Sequence, residues 1–555
     1  MKKITSLVML CMILLPGLSL AEDFYESQLN NGIRNSDVYS YLLLQEAQGN
    51  RAQSIDLLNK AYKHSPDLPA VYFELAKAKF SFSASGILAS VDFVVAGIDA
   101  YSRNFWWAFS LAGGTFFSLV VSFILTMLVI AVIRLISDLP LISHEVGESK
   151  QDIIPLLALF FISLISPLLF LAGIMILLGL YMSRMDKAVV YLFLVFLLLS
   201  PLLFRTASLF LNVSSSGTMK AIVTVNESRG NAYALSSLKD SDNPAALFSY
   251  ALALKRTGLY EDALAAYNRL VTIRPDAQVY VNLGNTYVGK NNVEEAIKKY
   301  LAAVSIRPLA SAYYNLSRVS RELFEFEKGD EYYKKAIEID RYAVSGYQAI
   351  YDRNPNRLVV DETLTFPSLW KIAKENRGEP SAFGLVSLPV WVNSLAALLL
   401  IFAFYYLNSR SRDKAYRCKR CNSIFCPRCE KHIMWGQMCP QCYRSLIKLD
   451  ETEVKERVSR LLSIYEHQNS RRRIMKVLAF VLPGSSQIFA GKVLYGFLFL
   501  WPFLFCLTFP LATIALTSGS MISHWVMNSA ALFLALVLYI FSNMFTRQRI
   551  TKGWL

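Results

Sequence analysis

Residues 244–277 read PAALFSYALALKRTGLYEDALAAYNRLVTIRPDA, and 278–310 follow as QVYVNLGNTYVGKNNVEEAIKKYLAAVSIRPLA. In the first stretch Leu247, Tyr250, Ala251, Leu254, Gly258, Ala263, Tyr267 and Pro275 mark an apolar helix, a turn, a second apolar helix and a stop. Tyr280, Leu283, Gly284, Tyr287, Ala296, Tyr300, Ala303 and Pro308 repeat that order at nearly the same offsets. A third unit, 310–341, keeps Tyr313, Leu316, Tyr333 and Ala336, with Gly329 where a small Ala is expected. Small residues at the eighth and twentieth positions of a unit let its two helices approach closely, and aromatics at the eleventh and twenty-fourth fill the space between neighbours. The proline ends the second helix because it cannot continue one.

These units resemble the tetratricopeptide repeat family, whose helix-turn-helix units stack into an α-solenoid with a concave face. The resemblance implies that positions six and nine of each first helix face the groove: Asn282 and Asn285, then Asn315 and Arg318. Amide and guanidinium groups there would hold a peptide backbone or a terminal carboxylate; the alternative is that they are simply solvated. An earlier stretch reads the same way. Val38, Tyr41, Leu42, Gly49, Ala61 and Pro66 mark a repeat in which Ser54 replaces the usual Ala, and Tyr72, Leu75 and Ala76 begin another that stops early. Residues 212–242 read as a capping helix pair. Residues 342–386 show no repeat, and Leu358-Val359-Val360 looks like an extended connector.

The rest of the chain asks for lipid. Of 555 residues, 54% are hydrophobic and 18% charged, against roughly 25% charged in ordinary globular domains. Apolar runs long enough to span a bilayer occur at 105–133, 153–181, 189–211, 387–407, 493–517 and 525–545. Trp106, Trp107, Trp391, Tyr405 and Tyr406 stand near run ends, where aromatic rings favour the headgroups. Pro167 should kink or break the second run. Lys2 and Lys3, an apolar stretch to Leu18, and Ser19-Leu20-Ala21 form a signal peptide over 1–21. The net charge of +15 gathers at membrane flanks, notably ten Lys/Arg against two acids between Asn408 and Lys448. That is the positive-inside pattern and points to lipid, not nucleic acid.

Six of the eight cysteines lie together as Cys418-x2-Cys421, Cys426-x2-Cys429 and Cys439-x2-Cys442. Each pair suits a knuckle gripping one metal with two thiolates. The outer pairs are 17 residues apart, inside the spacing of a four-cysteine zinc ribbon, which the segment resembles. Structural zinc is the cofactor expected, closed to catalysis because all its ligands are thiolates. The middle pair with His432 would give a second site of three obvious ligands, or His432 is an ordinary loop residue. A redox reading of the Cys-x2-Cys pairs lacks the βαβ context that lowers a thiol pKa.

Beyond the ribbon, Val454, Val458, Leu461, Leu462 and Tyr465 form one helical stripe, read as an amphipathic helix over 449–476 against membrane or ribbon. Pro483-Gly484-Ser485-Ser486-Gln487-Ile488-Phe489-Ala490-Gly491 and Gly496 resemble a turn found in small multi-spanning bacterial proteins, with glycines for close helix contact.

The fold class is therefore all-α: a multi-pass helical membrane protein with α-solenoid soluble regions and a small zinc-ribbon-like insert. Its parts are a signal peptide (1–21), a repeat-like region (22–104), a transmembrane cluster (105–211) and the repeat domain with its connector (212–386). A transmembrane helix (387–407), the ribbon (408–448), the amphipathic helix (449–476), a re-entrant hairpin with two transmembrane helices (477–546) and a basic tail (547–555) follow. The resemblance implies a non-enzymatic scaffold for protein or peptide partners, in bacterial envelope biogenesis, secretion or surface-structure assembly. No phosphate loop, nucleophile elbow or His-Glu zinc motif argues for an enzyme. A membrane transport component and a thiol redox protein are the alternatives; against transport, no apolar run carries paired charges. Placement is at the inner membrane, with the repeats periplasmic and the cysteines and C-terminus cytoplasmic. One conflict remains: repeats on both sides of 105–211 facing outward need an even number of crossings there, and three runs are counted.

Overall fold

The computed structural model describes residues 24–30, 33–49, 53–147, 166–227, 232–353, 359–375, 390–410, 416–418, 420–425, 439–446, 454–517 and 520–552. The stretch read as a signal peptide, 1–21, lies outside them. The described residues are nearly all helical, apart from turns and one antiparallel ladder pairing Tyr416–Arg417 with Ile424–Phe425. The chain divides into two compact units, residues 1–109 with 211–377, and 110–210 with 378–555.

The first unit is a helical array. Hairpins form from Pro244–Arg256 and Tyr260–Ile273, Ala277–Gly289 and Val293–Ile306, then Ala310–Glu322 and Phe326–Arg353. Local chemistry starts each first helix. Asn243 accepts from the amides of Ala245 and Ala246 ahead of Pro244 at the first helical position, and Asp276 accepts from Gln278 N. Each hairpin turns through a left-handed residue at φ +82°, +59° and +62°: Gly258, Asn291 and Phe324, evenly spaced in sequence. Glycine takes that conformation freely and asparagine tolerates it, whereas phenylalanine pays a steric penalty. Between the helices, Tyr300 is fully buried against Gly284, where a Cβ would come within 2.5 Å of the ring. The small residue is what admits the aromatic.

Two expectations change here. The unit begun by Tyr72 does not stop early: Pro69–Lys79 pairs with Ala84–Ala100, and Gly97 abuts the Phe73 ring. It escaped the repeat pattern because the second helix is almost uniformly apolar and its small residue sits late. The connector is also partly helical, since Phe326–Arg353 continues past 341 through a kink at Asp340, and Phe366–Glu375 is a further helix. The early and late repeat regions close into one unit through direct contacts. Trp107 Nε1 donates to Tyr41 Oη at 3.2 Å, Phe105 N donates to Glu227 Oε1 at 3.0 Å, and Trp370 lies against the rings of Phe105 and Phe109.

The second unit holds helices of spanning length and composition: Trp391–Ser409, Val493–Thr517, Trp525–Thr551 and the long helix Phe105–His144, which enters it at Ser110. Lys187–Leu198 and Ser200–Ser215 pass the same test together but are bent by 57°, so the run read as one span at 189–211 is broken. Pro201 causes the break: it has no N–H to give, and its ring would strike the carbonyl four residues back. Pro167 opens the helix Pro167–Gly179 behind a Ser166 cap, and the first half of the 153–181 run lies outside the described residues. The run read as 105–133 continues as helix to Gly147. It therefore contains a buried ion pair, Arg134 to Asp138 at 2.5 Å. Both residues lie beyond 133, past the apolar run as it was read. An i,i+4 pair neutralises itself along one face and need not end a helix.

The amphipathic helix does not end at 476 but runs from Val454 to Val481, and its stripe Val454, Val458, Leu461, Leu462 and Tyr465 is exposed. The Pro483-Gly484 turn follows, with Gly484 at φ +83°. A Cβ at Gly484 would lie 2.3 Å from Gly496 O, and one at Gly496 would lie 2.7 Å from Gly484 O. The short helix Ser485–Phe489 thus packs directly on the start of Val493–Thr517. Asp186 Oδ1 accepts from Leu494 N at 2.8 Å, capping that helix from a neighbour.

Candidate functional sites: an asparagine-lined groove and a four-cysteine cluster

Asn282, Asn285 and Asn315 are fully buried and Arg318 nearly so. The three asparagines are not solvated; they hold residues 360–362 of the same chain. Asn315 Nδ2 donates to Val360 O at 2.9 Å, and Val360 N donates back to Asn315 Oδ1 at 2.8 Å. Asn282 does the same with Glu362, at 2.9 and 2.8 Å. Asn226 repeats it with Leu364, at 2.9 and 2.6 Å. In an extended chain, residues two apart turn their main-chain groups to the same side. Three amides in a row therefore grip an extended backbone without regard to its side chains.

Side chains are read between the clamps. Asp361 Oδ1 accepts from Asn285 Nδ2 at 2.8 Å and from Lys255 Nζ at 2.7 Å, while Arg256 Nε lies 3.8 Å from Oδ2. The Asp361 and Arg256 side chains are 2% and 3% exposed, so the charges meet with little water between them. Glu362 accepts from Gln278 Nε2 at 2.7 Å and from Ser311 Oγ. Asn285 is itself oriented, its Oδ1 accepting from Tyr300 Oη at 2.7 Å and Asn315 Nδ2 at 2.9 Å. Asn226, Lys255, Arg256 and Gln278 were not singled out in the sequence. Asn226 lies in the stretch read as a cap, and the cations look like ordinary charges at a helix C-terminus.

Beside Leu364 lies a pocket of about 400 Å³, open to solvent and lined among others by Asn35, Asp67, Arg103, Asn226 and Glu227. Asp67 takes Arg34 at 2.5 Å and Arg103 at 2.9 Å. Burial, with the charge of Asp37 adding to it, pushes the Glu227 carboxyl up to about 8. Burial also raises Asp37, to about 6.

The second site is the cysteine cluster. Cys418, Cys421, Cys439 and Cys442 bring their sulfurs within 4.8 Å of one another. The two-strand ladder carries the first pair on a tight turn in which Asn422 adopts φ +65°, and Cys439 leads into the helix Pro440–Leu446 with the second pair. Cys421 Sγ and Cys439 Sγ are 3.7 Å apart. That is far beyond a disulfide bond and close to the roughly 3.8 Å edge of a tetrahedron with 2.3 Å metal–sulfur bonds. The amides of Cys439 and Cys442 donate to Cys418 Sγ and Cys439 Sγ, each at 3.3 Å, as outer partners of thiolate ligands do. The donor set fits a tetrahedral metal.

Burial pushes the Cys439 thiol up to about 11. At Cys421 burial acts the same way but is outweighed by hydrogen bonds from Ser423, leaving that thiol lowered to about 7. Four thiolates this close need a cation to ionise together. Ile464 of the long helix Val454–Val481 closes the cluster, a contact the exposed stripe had been expected to make. Cys426, Cys429 and His432 lie outside the described residues.

The tetratricopeptide repeat family model matches residues 277–308 and 310–342, and a second model of the same description matches 231–278. The chain thus carries tetratricopeptide repeats over 231–342, beginning within the stretch read as a cap. The solved crystal structure of MamA is 20% identical, covers 31% of this chain and 90% of that one, and has a TM-score of 0.19. No curated protein matches the sequence.

Proposed function

We propose that the chain is a non-enzymatic, membrane-anchored scaffold whose tetratricopeptide array receives extended segments of protein partners. The setting is the bacterial inner membrane, in envelope biogenesis, secretion or surface-structure assembly. The observation that carries this is the row of amide clamps from Asn226, Asn282 and Asn315. A groove that grips main chain at every second residue suits an extended polypeptide better than a small molecule.

The four thiols hold structural zinc in this reading, since an all-sulfur tetrahedral set is the closed, non-catalytic kind. Zinc thiolates persist in a reducing cytosol, which agrees with the basic flanks around them. Residues 24–109 and 211–377 contain no cysteine and form one unit, so they share a side and the crossings between them are even in number. The helix from Phe105 and the bent pair supply two. A count of two is the even number that repeats outside and the ribbon inside require.

The test is a photo-crosslinking side chain at the half-buried Gln278 or the buried Ser311, both of which bind Glu362 in the groove, introduced in living cells. A protein adduct should form and should disappear when Asn282→Ala and Asn315→Ala are added. No adduct at either position would sink the scaffold reading of this groove.

A further inference from the structure

We propose that residues 359–365 are a built-in competitor for the groove, and that the partner admitted in their place is an extended acidic segment bearing a carboxylate where Asp361 lies. The proposal rests on the scaffold reading and adds to it both a gate and a ligand chemistry.

Three observations carry it. The first is how the segment is held. Val360, Glu362 and Leu364 are fixed by paired main-chain bonds to Asn315, Asn282 and Asn226, bonds that any extended chain can replace one for one. Displacement therefore exchanges like for like, and each bond contributes little net stability either way. The second is how the segment is tethered. The helix Phe366–Glu375 just after it buries Leu369, Ile372 and Ala373 and stacks Trp370 on Phe105 and Phe109. The strap can leave the groove while that anchor stays.

The third is charge. Lys255 Nζ and Arg256 Nε face the Asp361 carboxylate at 2.7 and 3.8 Å, in a place where water reaches poorly. An incoming segment without an acid there would take away the carboxylate that both cations face, although Arg256 keeps its bond to Val225 O at 2.7 Å, and removing one side of a buried ion pair carries a strong penalty. Gln278 and Ser311, which hold the Glu362 carboxylate, extend the preference by one residue. The clamps thus accept any backbone, and the cations select for acid.

The probe is a fluorescent synthetic peptide of sequence LVVDETLTF, matching residues 358–366, with a second peptide in which the Asp361 equivalent is Ala. Full-length protein is used in detergent. The variant Val360→Pro with Glu362→Pro deletes two strap amides while leaving every groove residue intact. It should bind the peptide at least about tenfold tighter than the unaltered chain, a difference of about 1.4 kcal/mol. The Ala peptide should lose at least that much, and adding Asn282→Ala should abolish binding.

A folded proline variant that binds no better than the unaltered chain overturns the gate, and equal binding of the two peptides overturns the acidic preference. Should the proline variant not fold, hydrogen exchange on the unaltered protein decides. The amides of Val360, Glu362 and Leu364 should exchange well ahead of those in Ala310–Glu322; exchange only together with them makes the strap a permanent part of the fold. Unchanged photo-adducts at Gln278 in both proteins would leave the scaffold reading standing while the gate fails. Loss of adducts everywhere would fail the scaffold itself.

Discussion

The groove and the cysteine cluster both aim converging polar side chains at an occupant, yet they are assembled over very different stretches of chain. The cluster is local, two Cys-x2-Cys pairs within residues 418–442, with a tetrahedral requirement that short-range spacing can express. The groove is not. Asn315 meets Val360 45 residues later, and Asn226 meets Leu364 across 138. What the groove recognises is also main chain, which leaves no mark in sequence. A metal site advertises itself through its ligands, while a backbone clamp advertises only half of itself.

The comparison can be broken or sharpened at several points. The largest effect is expected at the cluster. Cys439→Ser should remove the zinc proposed for the cluster and open that segment to proteolysis, because structural zinc contributes roughly 10–16 kcal/mol in small zinc modules. Metal analysis should fall from one ion per chain to none. A starting value of two would place the second at Cys426, Cys429 and His432, whereas retention of metal would remove the cluster from the account.

Next comes the groove. Asp361→Ala leaves Lys255 and Arg256 facing each other without a carboxylate and should cost the repeat unit about 3 kcal/mol in denaturant unfolding. A change below about 0.5 kcal/mol would put Asp361 with ordinary surface residues.

A third test uses pH. The folded-state Glu227 carboxyl is raised to about 8 from 4.5, by burial first and then by Asp37; Asp37 itself is raised to about 6 from 3.8. A raised acid binds its proton more tightly when folded, so the stabilisation is complete below the unfolded value and is lost as pH climbs to the folded one. Repeat-unit stability should fall between about pH 5 and 8. Glu227→Gln should flatten that slope and be the more stable form at pH 8. An unchanged slope would assign the loss elsewhere.

The smallest effect is at a turn. Phe324 takes the left-handed conformation with its ring exposed, so Phe324→Gly should stabilise the array by about 1 kcal/mol. No gain in the unfolding midpoint would mean that its edge contact with the Phe326 ring, 6.3 Å between centroids, offsets the strain.

Much of the fold was legible in residues such as Gly284 and Tyr300 or Ala263 and Tyr267, because a small-aromatic alternation at a fixed period is what stacked helical hairpins require and little else does. Legibility failed where tertiary contact replaced local pattern. The hairpin of Ala84–Ala100 was missed because its apolar face is nearly continuous. The helix from Phe105 runs on past the apolar run at 105–133 because Arg134 and Asp138, a turn apart, pair with each other and need not end it. At the candidate sites, the resemblance to the repeat family pointed to Asn282, Asn285 and Asn315. Their occupant was not, since Val359 to Thr365 carries no motif and only two adjacent acids.

The most direct test of the central claim, a repeat scaffold and a thiol ribbon held on opposite faces of a membrane, is thiol labelling in intact cells. Phe82→Cys and Tyr342→Cys place thiols at two highly exposed positions, 95% and 92%, one in each half of the repeat unit. A membrane-impermeant maleimide should label both, while the native ribbon cysteines react only after the membrane is opened. Labelling of one position without the other, or of the ribbon before either, would contradict the account.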